Sequence, residues 1–363
     1  MINFLKMINV KTLLRIAIFG LTASMLLSSC RLIPDAISGA TKGYDADGNS
    51  FYHRTKETKL RAGEFWVEGE VRKPGKVNCK RYGKREVLHK QATLNGDGEI
   101  EFVGAYRYRG YSLFDLLNPF ILQKKNAEEF VPATDVYITI ENGTGDKVVF
   151  SWAEIFLSHT MHQVIIATEQ ASIEPYKREV DYPKGSVWKV VAANDLFAYR
   201  ELENPTKITI SSFDRKHYDI NRKMENPISP SVNVVINDEQ RRVIEPNGDG
   251  QEQVKYNSVF YGMGMGYHKT PHFEGPILWP LIDDLFISTN AGWIRNGLVC
   301  IVGKDGFRNI LSFSELFNRV DQVQPILAIP PDDSGSGQFR LYLPSAFYAD
   351  FSVKNLAEIY FFK

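Results

Sequence analysis

One six-residue pattern occurs twice in this chain of 363 residues. SWAEIF at 151–156 is followed, 161 positions later, by SFSELF at 312–317. The match extends in both directions, and the further pairs are GYSLFDLL (110–117) with GPILWPLI (275–282), QVIIA (163–167) with QPILA (324–328), and 188–210 with 339–361. Offsets that change by a few residues are typical of insertions in surface loops. The repeat therefore predicts two related domains in one chain.

Each copy carries the same order of predicted elements. Ser151 and Ser312 precede apolar helical patterns and are followed three residues later by Glu154 and Glu315. This spacing is typical of a capping box, in which serine and glutamate satisfy backbone amides at the start of a helix. We therefore expect a structural role for both glutamates.

Strand patterns surround these short helices. The predicted strands are 65–71, 135–141 and 188–193 in the first copy and 297–303 and 339–344 in the second, with further short helices at 112–118 and 277–284. Strands with interspersed short helices predict an α+β fold with mixed β-sheets rather than alternating βαβ units.

The first 30 residues have the features of a lipoprotein signal peptide. Lys6, Lys11 and Arg15 precede the apolar run 16–27, which is too short to cross ~30 Å of hydrocarbon, and LSSC at 27–30 follows. This ending resembles the bacterial lipobox, which implies that Cys30 is acylated and becomes the mature N-terminus. We expect an exported protein that a lipid holds on one membrane of the cell envelope.

Charge and cysteine content exclude some partners and leave one question open. Lys+Arg and Asp+Glu balance at 43 each, so no basic field attracts nucleic acid. After cleavage Cys79 and Cys300 remain in apolar or alternating runs, where a buried free thiol is the commoner outcome and a disulfide is the alternative.

Taken together, the motifs resemble the oxidoreductase molybdopterin-binding domain of the sulfite oxidase-like family. The resemblance rests on FWVEGEV (65–71) with PG at 74–75, RGYSLFDLLN (109–118), the DGF strand with its SxxEL helix, FRLYLP (339–344) and VKNLAEI (353–359). It covers most of 63–212 and roughly 232–363. It implies two tandem sulfite-oxidase-like, molybdopterin-binding-type domains, with molybdopterin as the implied cofactor.

One departure from the family decides the functional expectation. Family enzymes hold molybdenum through a Cys thiolate before the Gly-x-x-Leu helix, but the corresponding segments 92–110 and 256–275 contain no Cys. Thiolate is a soft ligand that hydroxyls and amides do not ordinarily replace, and the n-region lacks a twin-Arg signature. The sequence therefore predicts a pseudoenzyme with no catalytic residue, no metal site and no bound cofactor.

The second copy supplies the candidate ligand-binding residues. YGMGMGYHKTPH (261–272) takes the place of the family's ligand-bearing loop, and its glycines allow a ligand to approach the backbone. His268, Lys269 and His272 in this segment are candidates for contacting an anion. The alternative is a glycine-rich connection with two solvated imidazoles.

Four further candidates follow from the resemblance. Lys304, Asp305 and Arg308 bracket the DGF turn, and Lys354 matches the family's late Lys, so the resemblance implies contact with a pterin phosphate or another acid. The alternative is a charged turn and a surface lysine. In the first copy only Arg107 and Arg109 are comparable.

Two further patterns give only weak indications of a metal site. His159 and His162 lie three residues apart without a third or fourth ligand, and PPDDSGSG (330–337) would suit only a hard cation.

The predicted organisation is a signal peptide (1–29), a flexible tether (30–62), a first domain (63–212), a linker (213–231) and a second domain (232–363). The predicted function is an envelope lipoprotein that binds a small anionic ligand or an envelope protein. The alternatives are a molybdopterin-dependent oxidoreductase with unusual metal ligation and a purely structural envelope component.

Overall fold

The structure, a computed structural model, describes residues 55–175, 177, 179–225, 228–245, 252–286, 290–329 and 339–363. The chain divides into two compact units, of which one contains 1–55 and 174–178 and the other contains 56–173 and 179–363. Every element described below belongs to the second unit. The predicted signal peptide, Cys30 and the loop 330–337 lie outside the described residues.

We call the part of this unit up to residue 212 the first half. Its strands are β1 (Thr58–Lys59), β2 (Trp66–Gly69), β3 (Gly75–Lys76), β4 (Arg85–Leu94), β5 (Ile100–Ser112), β6 (Val136–Asn142), β7 (Lys147–Ser151), β8 (Val164–Ser172), β9 (Lys189–Ala192), β10 (Leu202–Glu203) and β11 (Pro205–Ser212). Its helices are α1 (Leu113–Leu117) and α2 (Trp152–Phe156), with 3₁₀ turns at Cys79–Arg81, Ala133–Asp135 and Ala198–Arg200.

Residues 232–363 are called the second half. Its strands are β12 (Val232–Ile236), β13 (Glu239–Ile244), β14 (Gln253–Asn257), β15 (Phe260–Gly262), β16 (Gly266–Lys269), β17 (His272–Pro276), β18 (Leu298–Gly303), β19 (Arg308–Ser312), β20 (Ile326–Ala328), β21 (Arg340–Tyr342) and β22 (Leu356–Phe362). Its helices are α3 (Asn290–Asn296) and α4 (Phe313–Phe317), with 3₁₀ turns at Trp279–Leu281, Asp283–Leu285 and Ala349–Phe351.

The predicted α+β layout is confirmed: mixed sheets predominate, and the helices are short. One predicted helix is wrong, because 277–284 forms two 3₁₀ turns instead of an α-helix. Pro280 explains the difference, since proline lacks the amide that a continuing α-helix would need and its ring clashes with the preceding turn.

The two halves contain sheets of the same strand order. One sheet runs β3-β2-β11-β6-β7, and the other runs β13-β12-β22-β18-β19. In the first sheet β2 pairs in parallel with β11, and in the second β12 pairs in parallel with β22; all the other pairs in both sheets are antiparallel. A second, six-stranded sheet of the first half runs β10-β9-β8-β5-β4, with β1 pairing β8.

Apolar periodicity explains where these strands lie. In β6, Val136, Ile138 and Ile140 are fully buried and alternate with less buried residues, as expected for a strand with one face on the core. In β18 every residue is buried, because Val299 and Ile301 enter one apolar cluster while the alternate residues enter another. Its continuous apolar sequence is typical of a strand covered on both faces.

Two glycines hold corresponding places in the halves. A Cβ on Gly110 would lie 2.1 Å from the carbonyl oxygen of Ile166, and one on Gly275 would lie 2.1 Å from that of Leu327. These glycines are the first residues of the matched GYSLFDLL and GPILWPLI segments. The backbone contact is closer than any side chain allows, so only glycine fits there.

Residues 58–60, which the sequence places in the flexible tether, are part of the fold. Thr58 and Lys59 pair with β8, and Leu60 is buried among Val87, Tyr106 and their neighbours. The fold therefore includes residues before 63, because the apolar side chain of Leu60 packs in the core although the segment around it is mostly polar. In the part of the chain that the structure describes, no helix has the length and apolar character needed to span a membrane.

We predict that Gly110→Ala and Gly275→Ala each lower the free energy of unfolding by about 3 kcal/mol, because the added methyl group displaces a paired backbone. Gly83→Ala is the control, since nothing lies within 4 Å of its Cβ position and its φ is not positive; we expect a change within about 0.5 kcal/mol. Urea denaturation of the three variants measures this. Equal losses for Gly83→Ala and Gly110→Ala would contradict the close-contact argument.

Candidate functional site

The second half contains an open, charged cleft with about 900 Å³ of empty volume. We call it the second-half cleft. Its charged lining residues are Arg222, His268, Asp305, Arg340, Asp350 and Lys354, and its other walls include Phe260, Phe307, Ser352 and Val353. Arg222 comes from the segment between β11 and β12, and the others come from the β15–β16 hairpin, the β18–β19 turn, β21 and the chain around the 3₁₀ turn Ala349–Phe351.

The two carboxylates of the cleft already have partners. Asp305 accepts a hydrogen bond from the Phe307 amide at 3.2 Å and forms an ion pair with Arg222 at 3.2 Å. The Arg222 guanidinium also lies over the Phe307 ring, 4.8 Å from its centroid. Asp350 accepts a hydrogen bond from the Met263 amide at 2.7 Å, which ties the hairpin to the 3₁₀ turn.

Arg340 is the most buried cation of the cleft. It is 9% exposed, and its guanidinium lies over the Phe260 and Phe273 rings, 5.1 and 5.7 Å from their centroids. Burial lowers the pKa of Arg340 to about 10, which still leaves it charged at neutral pH. A desolvated guanidinium over aromatic faces favours a planar anion, since the hydrogen bonds it offers to a carboxylate or phosphate are charge-assisted.

The structure brings three of the seven predicted residues into this cleft. His268, Asp305 and Lys354 line it. Lys269 and His272 are exposed on β16 and β17 but are not part of the lining. Lys304 is not part of the lining either, and its ammonium donates to the Ile228 carbonyl at 2.8 Å.

Arg308 lies in the contact between the halves instead. It is 1% exposed, and its guanidinium donates to Asp135 at 3.2 Å and to Glu129 at 2.9 Å. The Thr134 hydroxyl donates to the Arg308 carbonyl at 3.0 Å. Arg308 begins β19, and its side chain leaves the strand on the side of the first half.

Sequence reasoning missed Arg222 and Arg340. Arg222 falls in the stretch predicted as a linker, and no local pattern marks it. Arg340 could have been found from the repeat, because FRLYLP places it opposite Lys189 of the first copy. A basic residue at the same position of two otherwise apolar strands indicates a buried partner for its charge.

The first half has a cleft of about 990 Å³ at the corresponding turn between β6 and β7. We call it the first-half cleft. Its charged lining residues are Arg61, Asp146, Glu201, Glu203 and Arg295. Asp146 forms an ion pair with Arg295 at 3.3 Å. Acidic groups outnumber basic groups here, whereas basic groups outnumber acidic groups in the second-half cleft.

The two Ser-x-x-Glu segments meet face to face. Each serine oxygen accepts a hydrogen bond from the amide of the glutamate in its own segment, at 2.9 Å for Ser151 and 3.0 Å for Ser312. Each serine also donates to the glutamate of the other segment: Ser151 to Glu315 at 2.7 Å and Ser312 to Glu154 at 3.0 Å. The predicted structural role of these residues is therefore supported by their contacts.

A single buried arginine compensates this group of acids. The Arg200 guanidinium donates to both oxygens of Glu154, to both oxygens of Asp195 and to the Ser312 hydroxyl. The capping box is complete only in the second segment, because Glu154 turns to Arg200 instead of returning to the Ser151 amide. Burial and the charge of Glu154 raise the pKa of Glu315 to about 8.

Neither a thiolate nor a metal-binding group lines the second-half cleft as described. Cys300 is fully buried in β18 and Cys79 lies on a 3₁₀ turn of the first half; both are free thiols, and burial raises both pKa values. The described residues contain no group of three or more His, Cys, Asp or Glu that could hold a metal ion. This donor set does not fit molybdenum ligation through cysteine.

The remaining candidates have structural contacts. His162 is hydrogen-bonded to the Ser112 hydroxyl at 3.0 Å, and His159 packs against Phe347. Arg107 forms an ion pair with Glu86 at 3.1 Å, and Arg109 lies 3.8 Å from Glu169.

Comparisons with known proteins do not identify the family or the function of this chain. The chain matches no protein-family model and no curated protein. Among solved structures, it is similar to the sulfane dehydrogenase SoxCD from Paracoccus pantotrophus at a TM-score of 0.29 and 11% identity, over 81% of this chain and 77% of that chain. A likeness at this level carries no argument about fold or function.

We predict that Glu315→Gln weakens the pH dependence of stability. Between the unfolded pKa near 4.5 and the folded value of about 8, the folded protein holds a proton that the unfolded chain has released. The free energy of unfolding should therefore fall as pH rises from 5 to 8.5. Glutamine keeps the neutral shape and cannot ionise, so the fall should shrink by roughly 1–3 kcal/mol. Urea denaturation at several pH values measures it.

Glu128 is exposed, so Glu128→Gln serves as the matched control; it should leave the dependence of the free energy of unfolding on pH unchanged. The same slope in Glu315→Gln as in the unchanged protein would show that Glu315 ionises normally in the folded state.

Proposed function

We propose that this chain is an exported lipoprotein built from two tandem sulfite-oxidase-like domains, and that its second-half cleft binds a small anion without molybdenum chemistry. The N-terminal sequence supports the lipid anchor on Cys30 and a location in the cell envelope. The shared strand order of the two sheets and the corresponding close contacts of Gly110 and Gly275 support the duplication.

The observation that carries the binding proposal is the charge of the second-half cleft. Among the lining residues that the structure describes, Arg222, Arg340 and Lys354 stand against Asp305 and Asp350, which gives a net charge of +1 with His268 counted as neutral. Both carboxylates are already engaged by protein donors. A cleft that concentrates positive charge beside apolar walls raises the local concentration of anions.

Two other functions have weaker support. A protein partner on the face between the halves would find few uncommitted charges there, since Arg200 and Arg308 are engaged internally. A purely structural envelope component would not need an open cationic cleft.

We predict that small anions raise the melting temperature of the mature protein and that Lys354→Ala and His268→Ala weaken this effect. Phosphate, sulfate and acetate would be compared with chloride at equal ionic strength. A ligand at 100 times its Kd stabilises the native state by about 2.7 kcal/mol. Lys269→Ala is the matched control, because Lys269 is exposed on the same hairpin and lies outside the lining.

Three results would contradict the proposal in different ways. If none of the anions shifts the melting temperature beyond chloride, the cleft is not an anion site. If Lys269→Ala reduces the shift of the melting temperature as much as Lys354→Ala does, the anions act through the general surface charge and not through the cleft. If both cleft variants keep the full shift, the anion binds elsewhere.

The oxidoreductase alternative makes a separate prediction. Protein purified from its native host should contain less than about 0.05 mol of molybdenum per mol, because the cleft offers no thiolate. Elemental analysis by mass spectrometry measures this, with a molybdenum enzyme from the same cells as the positive control. A near-stoichiometric metal content would overturn the pseudoenzyme proposal.

A further inference from the structure

The β15–β16 hairpin ends in a row of exposed apolar side chains. In YGMGMGY (261–267) a glycine separates each large residue from the next. Tyr261, Met263, Met265 and Tyr267 are 42%, 41%, 81% and 62% exposed. We call these four residues the hairpin tip. Exposed apolar groups that lie together are typical of interaction surfaces, whereas single ones are common on any protein.

The hairpin carries its two tyrosines on the side away from the second-half cleft. Tyr261 and Tyr267 are opposite each other in the β15–β16 register. Side chains alternate between the two faces of a strand, and Phe260 and Gly262, on either side of Tyr261, line the cleft. The Tyr261 ring lies 6.1 Å from that of Phe347, which is itself 44% exposed. The exposed apolar surface therefore continues from the hairpin tip onto the segment after β21.

The hairpin tip is carried on a fixed arm of paired strands. Below it the Ser258 amide donates to the Pro271 carbonyl at 2.9 Å, and β14 pairs with β17 over five residue pairs. Beside the turn, the Met263 amide donates to the Asp350 carboxylate at 2.7 Å. Because the backbone is already ordered, burying these side chains costs little further conformational entropy.

Charge on the hairpin is mainly of one sign. Residues 253–273 include two lysines, two histidines and neither Asp nor Glu. Lys269 and His272 are exposed, and the other lysine is opposite Glu274 in the β14–β17 register. Asp350 lies beside the turn, but the described lining of the second-half cleft, on the other face of the hairpin, has a net positive charge. Basic groups at a membrane surface favour anionic lipid.

The chain before the described residues is long enough to bring the hairpin tip to a membrane. Thr55, the first described residue, lies 25 positions after Cys30. At no more than about 3.6 Å per residue, this stretch spans up to roughly 90 Å. A compact domain of several hundred residues has a radius of gyration of only about 20 Å. A lipid on Cys30 therefore leaves every face of the folded unit within reach of the bilayer, and exposed side chains select the face that docks.

A bilayer fits the hairpin tip better than a protein partner does. The core of a protein interface is packed as densely as a protein interior, which requires a defined shape on both sides. The alternating glycines of the tip place no side chain between the large residues that could define such a shape. The boundary between headgroups and acyl chains requires no fixed shape, and it accommodates flexible methionines and the amphipathic ring of tyrosine.

We propose that the hairpin tip docks on a lipid bilayer that contains anionic lipid, with Met265 and Tyr267 in the boundary between headgroups and acyl chains and Lys269 at the headgroups. This inference rests on the proposed lipid anchor at Cys30 and adds a second contact with the same membrane. The anchor makes docking of the tip an intramolecular event, so a weak contact is enough to orient the folded unit.

A nitrobenzoxadiazole fluorophore on Gly264→Cys tests the docking, with Gly83→Cys as the matched control. Neither glycine has an atom within 4 Å of its Cβ position or a positive φ. The full chain with its native lipid would be reconstituted into vesicles of phosphatidylcholine and phosphatidylglycerol. Emission should be at least about twofold higher from the Gly264 label than from the Gly83 label, because only the first leaves water.

The labelled unmutated protein corrects for the native thiols. Cys300 is buried, and burial raises the pKa of Cys79 to about 11, so both react slowly. Adding Met265→Ser and Tyr267→Ser to Gly264→Cys should remove the response. Adding Lys269→Gln should instead reduce the difference between vesicles with and without phosphatidylglycerol. An unchanged melting temperature would show that each variant is folded.

Equal emission from the Gly264 and Gly83 labels would overturn the docking while leaving the lipid anchor in place. A full response after Met265→Ser and Tyr267→Ser would overturn the assignment to the hairpin tip. A response that grows with protein concentration in the absence of vesicles would assign the tip to a contact between two copies of the chain.

Mass spectrometry of Cys30 tests the anchor separately. If Cys30 carries no acyl group, the proposed anchor fails, and the same two labels are compared after vesicles are added to the protein in solution. A higher emission from the Gly264 label would then still support the docking, and equal emission would overturn it.

Discussion

The exchange of hydrogen bonds between the two Ser-x-x-Glu segments is the constraint on which the described unit depends. Each serine caps its own helix and donates to the glutamate of the other half, and Arg200 neutralises the buried acids around them. Removing one member of such a network leaves an uncompensated charge or an unpaired polar group in the interior, which is costly. The same residues that begin two helices therefore also hold the two halves in one relative position.

A second buried contact reinforces this arrangement. Arg308 from the second half reaches Asp135 and Glu129 of the first, so each half contributes one buried arginine to the boundary. Arg200 and Arg308 are committed to structure and leave no charge for a ligand. Neither arginine is among the residues that line the second-half cleft.

The two clefts differ in charge, although each half contains a sheet of the same strand order. Three features correspond between the halves. Lys189 and Arg340 each pair with an alanine of the neighbouring strand. Gly110 and Gly275 make the same close contact with a backbone carbonyl, and Asn204 and Asn355 both have a positive φ. The difference lies in a few side chains, above all Glu201 against Ser352 and Glu203 against Lys354. Glu201 and Ser352 each directly follow a 3₁₀ turn, so this difference in charge lies outside the strands. The two halves therefore share a strand order but differ in the charge of their clefts.

The sequence by itself determined the repeat, the α+β layout, both helix caps and three of the residues that line the cleft. It could do so because apolar periodicity, capping spacing and an internal offset of 161 residues are local or linear properties. Only the tertiary structure decided which charged residues hold the halves together and which line the second-half cleft. Arg308 and Lys354 look alike as basic residues near a turn or a strand, yet one is buried against two carboxylates and the other lines a cleft. That distinction depends on which segments fold against each other, because the free energy of a charge is set by the groups that surround it.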